Sequence, residues 1–168
     1  MTKKEMFMPT LVLAIICIVI SGALVFVNYI TKDAIAETNA KTLNDTLVST
    51  FGDGEYSVSS RSFEGITSII DGEDGLCVYE ITTDGYSSDG IHVLIGIKDG
   101  EVEGISFVSC GETPGLGTKV NDAEYLSSYE GVSSDTEVDE TDAVTGATFS
   151  STGLKTAVKL ALEADKEG

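Results

Sequence analysis

Five side-chain hydroxyls, Thr145, Thr148, Ser150, Ser151 and Thr152, crowd the start of the C-terminal stretch "TGATFSSTGLKTAVKLALEA". A hydroxyl can act as a nucleophile toward an acyl or phosphoryl centre when a partner activates it. It is also a favoured helix cap, its oxygen accepting a hydrogen bond from a first-turn amide. Gly146 and Ala147, small and uncharged, separate Thr145 from Thr148 in a chain that is otherwise strongly acidic. Small residues leave room for a bulky group to approach the backbone. On spacing alone, Thr148 reads first as a helix cap, with a phosphoryl acceptor as the alternative.

A second stretch with chemical potential is "CGETPGLGTKV", Cys110 to Val120. Pro114 fixes one dihedral, while Gly111, Gly115 and Gly117 permit tight bends and close approach of backbone to a flat ligand. A plain connecting loop has the same composition. Other chemistries find little support. The chain carries 28 Asp+Glu against 10 Lys+Arg, a formal net charge of -18. Such a surface repels phosphate backbones, which argues against nucleic acid as a partner. A single His and the lack of a CxxC pair argue against zinc and iron–sulfur sites. Neither a Walker A pattern nor GxGxxG is present.

These two stretches must be positioned by the rest of the 168 residues, enough for one ordinary domain with attachments. Leu154, Val158, Ala161 and Leu162 recur at helical spacing after Thr148. From Tyr56 to about Cys110 the pattern is that of strands, with Asp-Gly pairs at 71–72, 74–75, 84–85, 89–90 and 99–100. Asp-Gly tolerates the positive φ of tight hairpin turns. Ile91, Val93, Ile95 and Ile97 alternate, and Val102, Ile105 and Phe107 return after Asp99-Gly100. His92 lies on the opposite side of its strand from the Ile91 set and reads as a surface residue. The acidic turns lack EF-hand spacing. Cys77 and Cys110 make a disulfide chemically possible in an exported domain, while a buried free thiol is the alternative at Cys77.

Ahead of the strands, Pro9 to Ile30 carries no charge and is long enough to cross a bilayer as a helix. A retained anchor and a cleaved signal peptide compete for this segment; its length and the lack of a well-placed small-x-small site favour the anchor. Lys3 and Lys4 before the span place the N-terminus in the cytoplasm by the positive-inside rule. A helix continues to Gly52 with the stripe Ala36, Ala40, Leu43, Leu47 and Phe51. The expected organisation is a cytoplasmic N-terminus over 1–8, a transmembrane helix over 9–30, a packing helix over 31–52 and an extracytoplasmic domain over 53–168.

Taken together and in this order, "GETPGLGTK" and "DAVTGATFSS" resemble the FMN-binding domain family. The family includes the G subunit of the Rnf complex and the C subunit of the sodium-pumping NADH:quinone oxidoreductase. Its pattern Asp-x-x-Ser/Thr-Gly-Ala-Thr is matched at Asp142, Thr145, Gly146, Ala147 and Thr148. Gly85, Tyr86 and Gly90, and Tyr129 with Gly131, match weaker family positions. Cys110 stands where the G subunits usually carry a histidine, and the segment between Gly131 and Asp139 is short. The resemblance implies an α+β fold, a twisted antiparallel sheet flanked by helices behind one transmembrane helix. It implies FMN joined covalently through its phosphate to Thr148 by a transferase that uses FAD and a divalent metal, with Asp142 recognised by that transferase. Ser150 and Ser151 are expected to cap the helix or donate hydrogen bonds beside the phosphate. Glu112, Thr113, Leu116 and Gly117 are expected to line the flavin ring. The implied partners are the other membrane and peripheral subunits of an Rnf-type complex, which moves electrons between ferredoxin and NAD and couples this to ion translocation; no separate catalytic site is expected in this chain. A stand-alone anchored flavoprotein and a flavin-free interaction domain are the alternatives.

Overall fold

The computed structural model describes residues 3–168, with side chains described at 11–31, 38 and 41–168. The chain divides into two compact units, residues 1–42 and 43–168. Helix α1, Lys3–Phe51, runs through the uncharged segment. Among the described residues, Leu11–Thr31 is long and apolar enough to cross a membrane, and its side chains over 11–30 are exposed. Ala36 and Ala40 of the expected stripe, and the flanking Lys3, Lys4 and Lys32, lie outside the described side chains. Gly52 ends the helix with φ +91°, its N–H bonded to the Val48 carbonyl.

In the second unit five antiparallel strands follow: β1 Ser57–Val58, β2 Ile66–Asp71, β3 Cys77–Thr83, β4 Ile91–Lys98 and β5 Glu101–Cys110. They lie in sequence order, each paired with its neighbour. Period-2 alternation then makes two apolar faces. Ile69, Tyr79, Ile81, Val93 and Ile95 face one way and are covered by α4, Thr148–Glu167, through Leu154, Ala157, Val158 and Ala161. Ile70, Val78 and Leu94 face the other way, against Leu43, Leu47 and Phe51 at the end of α1. Gly96 and Gly104 oppose each other across β4 and β5 on that second face. A Cβ at Gly96 would collide with the Phe51 ring, and one at Gly104 would touch it at 3.6 Å.

Asp99 and Gly100 adopt φ +53° and +81°, as the two-residue turn of the β4–β5 hairpin requires. Asp74 and Asp89 also sit at positive φ. Asp71-Gly72 and Asp84-Gly85 do not: Asp71 closes β2 and Gly72 keeps φ -101°. Two short helices, α2 Ala123–Ser127 and α3 Asp135–Glu140, complete the unit. Between them Gly131 and Val132 bond to Val102 on the free edge of β5. Ser134 caps α3 by accepting from the Glu137 amide.

One expectation needs correction, and one open alternative is decided. His92 is half-buried and paired with Glu80, its Nε2 2.9 Å from Oε1, while Ser68 donates to the other carboxylate oxygen at 2.5 Å. The His92 bond, aided by Ser68, outweighs burial and holds the Glu80 carboxyl below its usual range. Cys77 and Cys110 form no disulfide: Cys77 pairs with Ile97 and Cys110 with Ile91, at opposite ends of β4, and both thiols are free.

Candidate functional site

The expected acceptor segment is a β-turn feeding a helix. The Ala147 N–H bonds to the Val144 carbonyl at 2.9 Å, and Gly146, third in that turn, takes φ +82°. That is the position where a type II turn needs glycine. A Cβ on Gly146 would also press on Leu116 Cδ1 at 3.1 Å, so the glycine admits the neighbouring loop. Helix α4 starts immediately afterwards. Ala147 occupies the cap position and supplies no side-chain acceptor, so Thr148 is the first helical residue and does not act as the cap. Its side chain is exposed. The first helical bond is Ser151 N–H to the Ala147 carbonyl, leaving the amides of Thr148, Phe149 and Ser150 outside the helix ladder.

The glycine-rich loop folds back on itself beside this turn. Leu116 and Thr118 donate their amides to the Thr113 carbonyl, Gly115 donates to Thr118 Oγ1 at 2.9 Å, and a 3-10 turn follows over Gly117–Asn121. A cavity of about 450 Å³ opens between the loop and the helix start. Thr113, Leu116 and Gly117 line it from the loop, and Gly146, Ala147, Thr148 and Ser150 from the turn and helix. Two residues outside the expected set complete its wall. Tyr86 and Phe149 are 73% and 69% exposed, with ring centroids 6.3 Å apart and planes at 63°. Among the described residues, no charged side chain lines the cavity. An apolar wall with a few polar groups, in a cleft of several hundred cubic ångströms, is the usual form of a small-molecule site.

The expected residues Glu112, Asp142, Thr145 and Ser151 lie outside the cavity wall. Glu112 sits behind the loop, 4% exposed, and does not line the cavity. Asp142 lines a separate groove with Lys119 and Tyr125. Thr145 is exposed on the turn, outside the cavity wall. Ser150 and Ser151 are buried: Ser150 donates to Glu112 and Ser151 accepts from the Val144 N–H at 3.0 Å. Their hydroxyls hold the turn and the loop, and neither caps the helix. Lys155 of α4 donates to the carbonyls of Asp139 and Thr141 at 3.0 and 2.5 Å and so tethers the chain just before Asp142. Burial, with the Glu112 charge adding to it, outweighs a backbone hydrogen bond and raises the Cys110 thiol above its ordinary range.

The helix spacing did carry the signal for the two serines. Ser150 and Ser151 precede Leu154 by four and three residues, on the stripe that faces the sheet. Phe149 falls on the opposite face with Thr152 and Thr156, both exposed, and an aromatic residue on that face marks a surface with another use.

Residues 85–163 match the FMN-binding domain family, and residues 1–49 match the RnfG N-terminal region. Residues 85–163 of this chain thus form a region of the FMN-binding domain type. The matched domain begins at Gly85 and contains every residue that lines the cavity. Two curated relatives align along nearly the whole chain. The G subunit of an ion-translocating oxidoreductase complex from Shewanella piezotolerans is 26% identical over 189 aligned positions, covering 95% of this chain and 89% of the relative. The G subunit of the Na(+)-translocating ferredoxin:NAD(+) oxidoreductase complex from Acetobacterium woodii is 28% identical over 192, covering 95% and 91%. The cavity suits the cofactor of the FMN-binding domain family. Its apolar side could receive a flat ring, and the unbonded amides at the head of α4 could receive a phosphate.

Proposed function

We propose that this protein is the electron-transfer subunit of a membrane oxidoreductase complex of the Rnf type, carrying FMN joined through its phosphate to Thr148. The observation that carries the reading is the exposed Thr148 hydroxyl on the wall of an apolar cavity within the FMN-binding domain match. Ferredoxin and NAD are the redox partners named for the Acetobacterium relative. We extend them, with coupled ion translocation, to this chain.

The chain's own residues hold the cofactor in place and shield one side of it from water. FMN, when bound, supplies the redox chemistry. The Thr148, Phe149 and Ser150 amides and the positive end of the α4 dipole offset phosphate charge, which matters in a chain of net charge -18. Leu116 and Tyr86 offer apolar surface to the ring, with Thr113 near its polar edge. Attachment follows from a maturation transferase. The Thr148 hydroxyl would be the acceptor of the FMN phosphoryl group of FAD, with AMP as the leaving group and the hydroxyl proton taken up by the transferase. Asp142 and Thr145 are exposed and outside the cavity, which supports a role in recognition by that enzyme. The Leu11–Thr31 span anchors the chain in the membrane, and we place the domain that follows it on the extracytoplasmic side. In domain terms, we assign 1–8 to the cytoplasm, 9–30 to the membrane, 31–52 to the packing helix and 53–168 to the flavin domain.

The test is mass and fluorescence of protein taken from its native membrane. The peptide containing Thr148 should carry FMN less one water. Thr148→Ala should lose all flavin fluorescence in a denaturing gel, whereas Ser151→Ala, which alters an inward-facing hydroxyl, should keep it. An unmodified Thr148 peptide, or a fluorescent Thr148→Ala band, would refute the assignment.

A further inference from the structure

We propose that Glu112 is a positioning residue of the flavin site: without touching the cofactor, its buried carboxylate fixes the spacing between the Tyr86 wall and the Thr148 acceptor. The proposal rests on the placement of FMN given above. Glu112 is 4% exposed and has no cationic partner among the described residues. Three donors replace one. The Tyr86 N–H reaches Oε2 at 3.0 Å, the Ser87 N–H reaches Oε1 at 3.1 Å, and the Ser150 hydroxyl donates to Oε2. An ionised carboxylate only accepts, so the donor set matches its charged form. Burial raises the carboxyl, but the bonds from Ser150, Ser87 and Tyr86 outweigh it and hold the group below the ordinary glutamate range.

The surrounding sequence is shaped to this carboxylate. A Cβ at Gly85 would lie 2.6 Å from Oε1, and one at Gly90 would collide with the same oxygen. A Cβ at Gly117 would lie 3.0 Å from Oε2 and 2.8 Å from the Ser150 hydroxyl. Three glycines from two loops thus clear the space of one side chain. Its three donors belong to the β3–β4 loop and to the first turn of α4. The first of these segments carries the largely exposed Tyr86 ring, and Ser150 is two residues from Thr148. With so much of the ring in solvent, its place over the cavity is set chiefly by the backbone beneath it, and Glu112 holds that backbone. A buried, multiply bonded acceptor of this kind fixes geometry because every alternative arrangement leaves a donor unpaired.

The experiment uses the full chain, produced with the transferase and purified with its flavin. Fluorescence in a denaturing gel measures attachment. Emission of the folded protein, relative to the same protein denatured, measures contact with the phenol ring, because a stacked Tyr quenches flavin emission. Glu112→Gln turns an amide NH2 toward donors. It should retain attached flavin yet raise the folded-to-denatured emission ratio severalfold, toward that of Tyr86→Leu. The double variant should rise no further than Tyr86→Leu alone. Ser150→Ala removes one of the three donors and should give a smaller rise, which also decides the matter if Glu112→Gln fails to accumulate folded. A wild-type ratio in Ser150→Ala, or in a folded Glu112→Gln, would overturn the role, as would full additivity in the double variant. A wild-type band without flavin would refute the attachment itself, and this role with it.

Discussion

At the scale of single residues, charge state decides how the site behaves with pH. Glu112 is buried and its carboxyl is held below its ordinary value, with Ser150, Ser87 and Tyr86 as donors. A group whose folded pKa is depressed adds stability above its unfolded pKa, about 4.3 for glutamate, and loses it as pH falls through the folded value. Glu112→Gln should therefore be about 1–3 kcal/mol less stable than wild type near neutrality. The gap should shrink as the solution is acidified below the ordinary glutamate range. Chemical denaturation of both proteins across that range measures it. The repulsion within so acidic a domain changes with pH too, but both proteins share most of it, so the difference isolates Glu112. A gap that stays flat into acid, or widens there, would contradict the assignment. This residue was only half legible in the sequence. The family resemblance and the permissive loop led to the expectation that Glu112 lines the flavin ring, but which way its side chain points depends on amides 25 and 26 residues away.

At the scale of elements, strict periodicity was the readable signal. Ile91 to Phe107 alternate across one hairpin, and Leu154 to Leu162 follow one helical face, so β4, β5 and α4 were legible. Asp-Gly pairs were less dependable. The turn at Asp99-Gly100 formed because apolar strands flank it on both sides, whereas Asp71 was drawn into β2 by pairing with Cys77 and Ser57. Helix α3 has six residues, too few to set up a period. Nothing local marks the role of Gly96 either, since the Phe51 ring that needs its space lies 45 positions earlier. Gly96→Val should displace that ring from the sheet and cost about 1–3 kcal/mol, as overpacking does elsewhere. Thermal unfolding reads this as a lowered Tm, and Phe51→Ala in the same chain should recover part of the loss. An unchanged Tm would show that α1 does not pack there.

For the whole molecule, the apolar span and the acidic domain make orientation a question that one fusion can answer. A reporter active only after export, joined after Gly168, should be active; a reporter active only in the cytoplasm should stay silent. The reverse pattern would place the domain inside. The order of the sheet has a further consequence, in time. Each strand pairs with its neighbour in sequence, so the meander can form hairpin by hairpin from nearby contacts, the topology that favours rapid folding. Helix α4 is the exception: it covers β3 and β4 from the far end of the chain, and Thr148 is its first residue. During synthesis, which runs from the N-terminus, the sheet is complete while its α4-facing side is still bare. Thr148 is thus delivered by the segment that closes the core, and the cavity beside it exists only once the domain is whole. A chain cut before Thr148 would keep its strands but expose that apolar face. Under the attachment proposed above, a transferase that requires the finished cavity would be a late visitor, marking only chains that have folded to the end.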